Sequence, residues 1–151
     1  HARNTARNTR GIEGCLVDNE IQMIQSLESS DRRAYEISVA GPASLLIAKT
    51  IKISERLEDR RILVDKDAHD IYRLLSAVPI ATFNLGFSKL TSHSLSKDIT
   101  EVGLVHFEEL FARGSEAEGS MRAGQAEFGF GNPDTVSQSV AFLARDLLEA
   151  L

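Results

Sequence analysis

Two pairs of charged residues stand out by type and spacing: Lys49 with Lys52, and Asp67 with Asp70. Members of each pair are three residues apart, so on a helix each pair shares one face. If the two helices formed an αα-hairpin, ammonium groups and carboxylates would meet in one cleft. Such a set suits chemistry on phosphates, where cations offset charge developing on oxygen and carboxylates can hold a metal ion. The same residues have a blander reading. Surface lysines are usually solvated, and aspartates in a first helical turn complement the helix dipole. Taken alone, the residue pattern favours the blander reading.

The other polar candidates are weaker. His69 lies between the two aspartates. It could carry a proton, but an exposed helix residue is the stronger reading. His93 sits in a Ser-rich stretch and His106 on an amphipathic one, neither with a partner at zinc-ligand spacing. Cys15 lacks the Cys/His context of a nucleophile and reads as a buried apolar thiol. Gly129-Phe130-Gly131 is too short and wrongly placed for a phosphate loop.

The elements that must position these groups follow from hydrophobic period. Residues 12–18, 21–25 and 34–40 are strand candidates, the last alternating Tyr35, Ile37 and Val39 with Glu36 and Ser38. Asp18-Asn19-Glu20 is turn chemistry, and the polar run 28–33 is a loop. A small antiparallel meander is the expected assembly. From Gly41 the period becomes helical. Pro42 suits a first turn, and Ala43, Leu46, Ile47, Thr50, Ile51, Ser54 and Leu57 approximate one face. Lys49, Lys52 and Arg56 lie along another. After a connection containing Ile62-Leu63-Val64, Asp65 opens a second helix with Ala68, Ile71, Tyr72, Leu75 and Val78 inward. Residues 80–97 are ambiguous. A helix capped by Asp98 or Thr100 is expected to turn Val102, Val105, Leu110 and Phe111 inward. A weaker helix covers 121–128. Pro133 opens the last, 135–151, with Val136, Val140, Leu143, Leu147 and Leu151 at helical spacing. The expected fold class is α+β: a small antiparallel sheet, strand-rich over 1–40, then four or five helices over 41–151, in a single domain.

Two segments carry a resemblance to a known family: Gly41-Pro42-Ala43-Ser44-Leu45-Leu46-Ile47-Ala48-Lys49-Thr50-Ile51-Lys52 and Asp65-Lys66-Asp67-Ala68-His69-Asp70-Ile71-Tyr72-Arg73-Leu74-Leu75. They resemble the helical region of nucleotidyltransferase-like proteins of the AbiEii toxin type, where a lysine helix precedes an (Arg/Lys)-Asp-x-x-Asp-hydrophobic-Tyr helix. The resemblance spans roughly residues 10–80. It implies Mg²⁺-dependent transfer of a nucleotide from a nucleoside triphosphate (NTP) to an acceptor, RNA or protein, and a possible antitoxin partner. Carried over by position, Lys49 is the active-site lysine, with Lys52 beside it on the nucleotide, and Asp67 and Asp70 are catalytic. Lys66 stands where the family commonly has Arg, and His69 where an aromatic is common. A third, metal-binding carboxylate follows a strand in such folds, and Asp18 is the candidate, against its plainer reading as a turn aspartate. The chain also departs from the family in that the Gly-Ser…Asp-x-Asp metal motif is not found before Gly41. The chain is therefore expected to be the C-terminal part of something longer, without turnover by itself.

Composition bounds these readings. At 151 residues the chain can bury a core, and its 42% apolar and 26% charged content is ordinary for a globular protein. A net charge of -5 argues against a general nucleic-acid coat but leaves room for a local basic patch. Residues 1–10 carry Arg3, Arg7 and Arg10 without an acid, a solvated tail or a phosphate-contacting arm. Asp98, Glu101, Glu108, Glu109, Glu116 and Glu118 face only Arg113 in their stretch. That acidic run supports an alternative, a non-catalytic helical interaction module with a basic partner. A single cysteine excludes an intramolecular disulfide and fits a reducing, cytoplasmic setting. No apolar run approaches the roughly 20 residues of a membrane span.

Overall fold

The hydrophobic periods produce one antiparallel pair of strands and six α-helices among the residues described by the computed structural model, 9–57 and 65–151. The chain is α+β. β1 (Asn19–Gln25) pairs with β2 (Ala34–Ala40), Asn19 lying opposite Ala40 and Gln25 opposite Ala34. The connecting loop is closed by Asp31, which accepts hydrogen bonds from the Arg33 N–H (3.0 Å) and guanidinium (2.6 Å). Residues 1–8 of the Arg-rich stretch and the connection with Ile62-Leu63-Val64 lie outside the described residues.

The expected strand over 12–18 is instead a 3₁₀ turn, Glu13–Leu16. Its Cys15-Leu16-Val17 is an apolar run without true alternation. The backbone folds on itself, Gly14 O accepting from Val17 N–H (2.9 Å) and Asp18 N–H (2.8 Å). That turn delivers Asp18 to the start of α1. The remaining two strands are not half-buried as their alternation suggests. Ile21, Met23, Ile24, Tyr35 and Ile37 are all exposed, Ile21 by 70%.

The helices are α1 (Pro42–Leu57), α2 (Asp65–Ala77), α3 (Ile80–Ser92), α4 (Lys97–Phe107), α5 (Glu118–Gln125) and α6 (Pro133–Glu149). α1 is central and packs against α2, α3 and α4. Its buried face is Ala43, Leu46, Ile47, Thr50 and Ile51 as the period implies, joined by Ile53. α3 resolves the ambiguity at 80–97 and makes one helix more than expected. Phe83, Phe87 and Leu90 are buried on it, and Gly86 lets it approach α1, where a Cβ would sit 2.6 Å from that of Ala43. α4 turns a different face inward from the one its apolar pattern suggests. Val105 is 57% exposed and Val102 39%, while Thr100, Gly103 and Phe107 are buried. Gly103 decides this: its missing side chain is the space Ile47 occupies, with atoms 2.9 Å from where a Cβ would be. A π-helical turn, Glu108–Ala112, then shifts the phase so that Phe111 follows Phe107 into the core. Ser120 Oγ donates to the Phe111 carbonyl there (3.0 Å).

α6 starts as its sequence implies, with Pro133 in the first turn and Asn132 Oδ1 accepting from Thr135 N–H (3.2 Å). Val136, Val140 and Leu147 are buried on it, but Leu151 is exposed. Phe83, Phe107 and Phe111 are the largest fully enclosed side chains, each worth about 1.5–3 kcal/mol relative to exposure. No described helix is long and apolar enough to cross a membrane.

Candidate functional site

α1 and α2 anchor themselves through their apolar faces, which leaves the boundary positions of the two helices opposite one another. On α1 that boundary carries Lys49, Lys52 and Arg56, and on α2 it carries Asp67 and Asp70. Lys49 Nζ donates to Asp70 Oδ2 at 2.8 Å and lies 3.8 Å from Asp67 Oδ1. Lys52 Nζ donates to Asp67 Oδ1 at 2.7 Å, and Arg56 Nη1 to Asp67 Oδ2 at 3.0 Å. Arg73 Nη1 stands 3.9 Å from Asp70 Oδ1. The pairs inferred from spacing therefore converge: Lys49, Lys52, Asp67 and Asp70 form one cluster.

The cluster is unbalanced. Asp67, with its side chain only 11% exposed, meets three cations, and Asp70 meets Lys49 and Arg73 with Lys66 close enough to act on it. Burial pushes the Asp70 carboxyl up, but the hydrogen bond and charge of Lys49 and the charges of Lys66 and Arg73 outweigh it and hold it below the ordinary 3.8. Cations surrounding few carboxylates leave an excess of positive charge at a half-buried surface, which suits an anionic ligand. Arg56 and Arg73 are members that the sequence reading did not assign. Arg56 was signalled by its place in the Lys49–Lys52 stripe, and Arg73 by its spacing of three from Asp70.

Beside the cluster runs a groove. Lys49, Asp70 and Arg73 border a space of about 290 Å³ floored by Leu45, Leu74, Ala77 and Val78. Those four apolar residues also line a second space of about 440 Å³, which reaches Asp18, Asn19, Glu20 and Gln22 at the base of the hairpin and Lys89 on α3.

Asp18 is not part of the charged cluster. It is 5% exposed and caps α1: its Oδ2 accepts from Ser44 N–H (3.0 Å), and its carbonyl accepts from Ser44 Oγ (3.0 Å) and Gly41 N–H (2.7 Å). Its carboxylate satisfies a first-turn donor that has no partner within the helix, at the positive end of the dipole. Lys49 is five residues further along α1, about 7.5 Å along the axis. Asp18, Asp67 and Asp70 as placed do not fit a Mg²⁺ ion. Both oxygens of Asp67 and one of Asp70 are bonded to cations, Asp18 is committed to α1, and no group of three or more His, Cys, Asp or Glu is arranged for a metal among the described residues.

The histidines fall elsewhere. His69 is half-buried rather than exposed, its Nε2 2.6 Å from Glu127 Oε1 and its ring 5.7 Å from that of Tyr72. Exposed His93 accepts from Leu95 N–H through Nδ1 (3.2 Å), and His106 Nδ1 lies 3.8 Å from Glu109 Oε2. Cys15 is half-buried and free.

With this geometry in view, the chain matches no protein-family model, no curated protein and no solved structure.

Proposed function

We propose that this chain is the helical, nucleotide-binding part of a nucleotidyltransferase-like protein that transfers a nucleotide from an NTP to an RNA or protein acceptor. One observation carries the reading. Two lysines and two aspartates, distant in sequence and matched to a family pattern, meet across α1 and α2 beside a groove and under excess positive charge. Lys49 and Lys52 bind and neutralise the phosphates. Asp70 and Asp67 hold those ammonium groups aimed. Mg²⁺, which would neutralise the triphosphate when bound, needs carboxylates other than Asp18, Asp67 and Asp70. The exposed apolar residues on both hairpin faces fit a strand pair belonging to a larger sheet. An antitoxin partner is implied by the family resemblance.

The test is equilibrium binding of ATP, GTP, CTP and UTP to the full chain and to Lys49→Ala. Loss of one charge-assisted contact removes about 1.5–3 kcal/mol, a weakening of roughly tenfold or more. The Tm is expected to stay within a few degrees of wild type. A folded wild type that binds none of the four overturns the reading, as does a Lys49→Ala protein that loses stability but not affinity.

A second reading rests on a different observation. Asp98, Glu101, Glu108, Glu109 and Glu116 are all exposed on and after α4. As a non-catalytic interaction module, the chain would bind a basic protein through that face and leave triphosphates alone.

A further inference from the structure

The charged cluster accounts for the phosphates of a ligand but not for the groove beside it. Its floor consists of Leu45 from α1 and Leu74, Ala77 and Val78 from α2. Ala77 is exposed and the other three are half-buried, so apolar surface faces solvent next to Lys49 and Arg73. A binding groove combines such a floor with a few convergent polar groups, and spaces of about 290 and 440 Å³ sharing it are of small-molecule size. The two ends differ in chemistry. One has Lys49 and Arg73 around Asp70, and the other has Asp18, Glu20 and Gln22 with Lys89. At the second end Gln22 Nε2 donates to Glu20 Oε1 (2.7 Å), which leaves the Gln22 carbonyl and the other Glu20 oxygen as acceptors.

We propose that this groove is the nucleoside subsite of the same ligand. The base lies on Leu45, Leu74, Ala77 and Val78 with its amino edge toward Glu20 and Gln22, and the phosphates reach Lys49 and Arg73. The proposal rests on the reading of Lys49 as a phosphate-binding residue. It adds what that reading lacks, a reason for the site to distinguish a nucleotide from bare polyphosphate. The polarity follows from the balance of charge, because Asp18 and Glu20 outnumber Lys89 at the hairpin end while Lys49 and Arg73 outnumber Asp70 at the other.

The experiment compares ATP, GTP and inorganic tripolyphosphate in binding titrations of the full chain at fixed ionic strength. Tripolyphosphate carries more charge than a nucleoside triphosphate, so a site that reads charge alone prefers it. The expected result is that ATP or GTP binds at least tenfold more tightly than tripolyphosphate. Ala77→Phe, which fills the groove from an exposed position, should abolish that difference and leave tripolyphosphate affinity and Tm unchanged. Ala77→Gln should do the same by covering the apolar floor with a neutral polar side chain, and serves if the larger ring disturbs α2. Equal or tighter binding of tripolyphosphate overturns the subsite but leaves the Lys49 reading standing. So does nucleotide binding that survives both substitutions. Absence of binding by all three probes overturns both.

Discussion

The β-hairpin and the α1–α2 pair read alike as amphipathic sequence, yet the molecule treats them in opposite ways. In α1 and α2 the apolar positions are enclosed, and Lys49, Lys52, Asp67 and Asp70 at the boundary are bonded to one another. In the hairpin Ile21, Met23, Tyr35 and Ile37 remain exposed on both faces, and no third strand pairs with either edge among the described residues. A helix completes its own backbone hydrogen bonds and needs only one covered stripe, whereas a two-stranded ribbon is marginal until other strands or layers cover it. The helical half is thus satisfied within the chain. The hairpin's apolar side chains contribute little to this fold's stability, and they present a surface suited to further packing.

The sharpest way to break that contrast is to truncate one residue in each region. Phe107→Ala should cost about 3–5 kcal/mol in urea unfolding because it opens a cavity between α4 and the core. Ile37→Ser should stay within about 0.5 kcal/mol, as for a surface position. Equal costs would mean that the hairpin is packed after all.

The next effect is electrostatic. Asp67→Ala removes the carboxylate that Lys52 and Arg56 share and leaves cations facing one another in a half-buried space. Loss of one partner of an enclosed pair costs about 3–5 kcal/mol, and the partial exposure of these cations reduces that to about 2 kcal/mol. A denaturation midpoint equal to wild type would show that the cluster contributes nothing to holding α1 and α2 together.

The smallest effect is the pH dependence of Asp70, whose carboxyl is held below 3.8 chiefly because the bond to Lys49 and the nearby cations outweigh burial. In the unfolded chain this carboxyl takes up its proton at a higher pH than in the folded one. Its stabilisation is therefore complete above the unfolded value and disappears as pH falls through the folded one. Wild type should exceed Asp70→Asn by under about 1 kcal/mol at neutral pH. The two stability curves should merge well below pH 3.8. Curves that stay parallel through the acid range would remove Asp70 from the pH response.

Much of the helical half was legible because helical spacing is a local property. Pro42 and Pro133 mark helix starts, and the apolar faces of α1 and α2 follow the 3.6-residue period. The face of α4 was not legible. A glycine counts as no apolar residue in a pattern, yet Gly103 is where Ile47 fits, and Val102 and Val105 are consequently turned outward. Asp18 could be read as a turn residue or a metal ligand, and its actual partner, Ser44, is 26 positions away.

From residue order alone come the α+β class, the two strands that pair, and the three-residue spacings that put Lys49 with Lys52 and Asp67 with Asp70 on shared helix faces. These depend on short-range backbone geometry, which a few consecutive residues specify. Only the tertiary structure decides that Lys49 meets Asp70, that Arg56 joins Lys52 on Asp67, and that a groove opens between α1 and α2. Those outcomes depend on how α1 and α2 pack, and that is set by core side chains such as Leu46, Ile47, Ala68 and Ile71, which come from far apart in the chain.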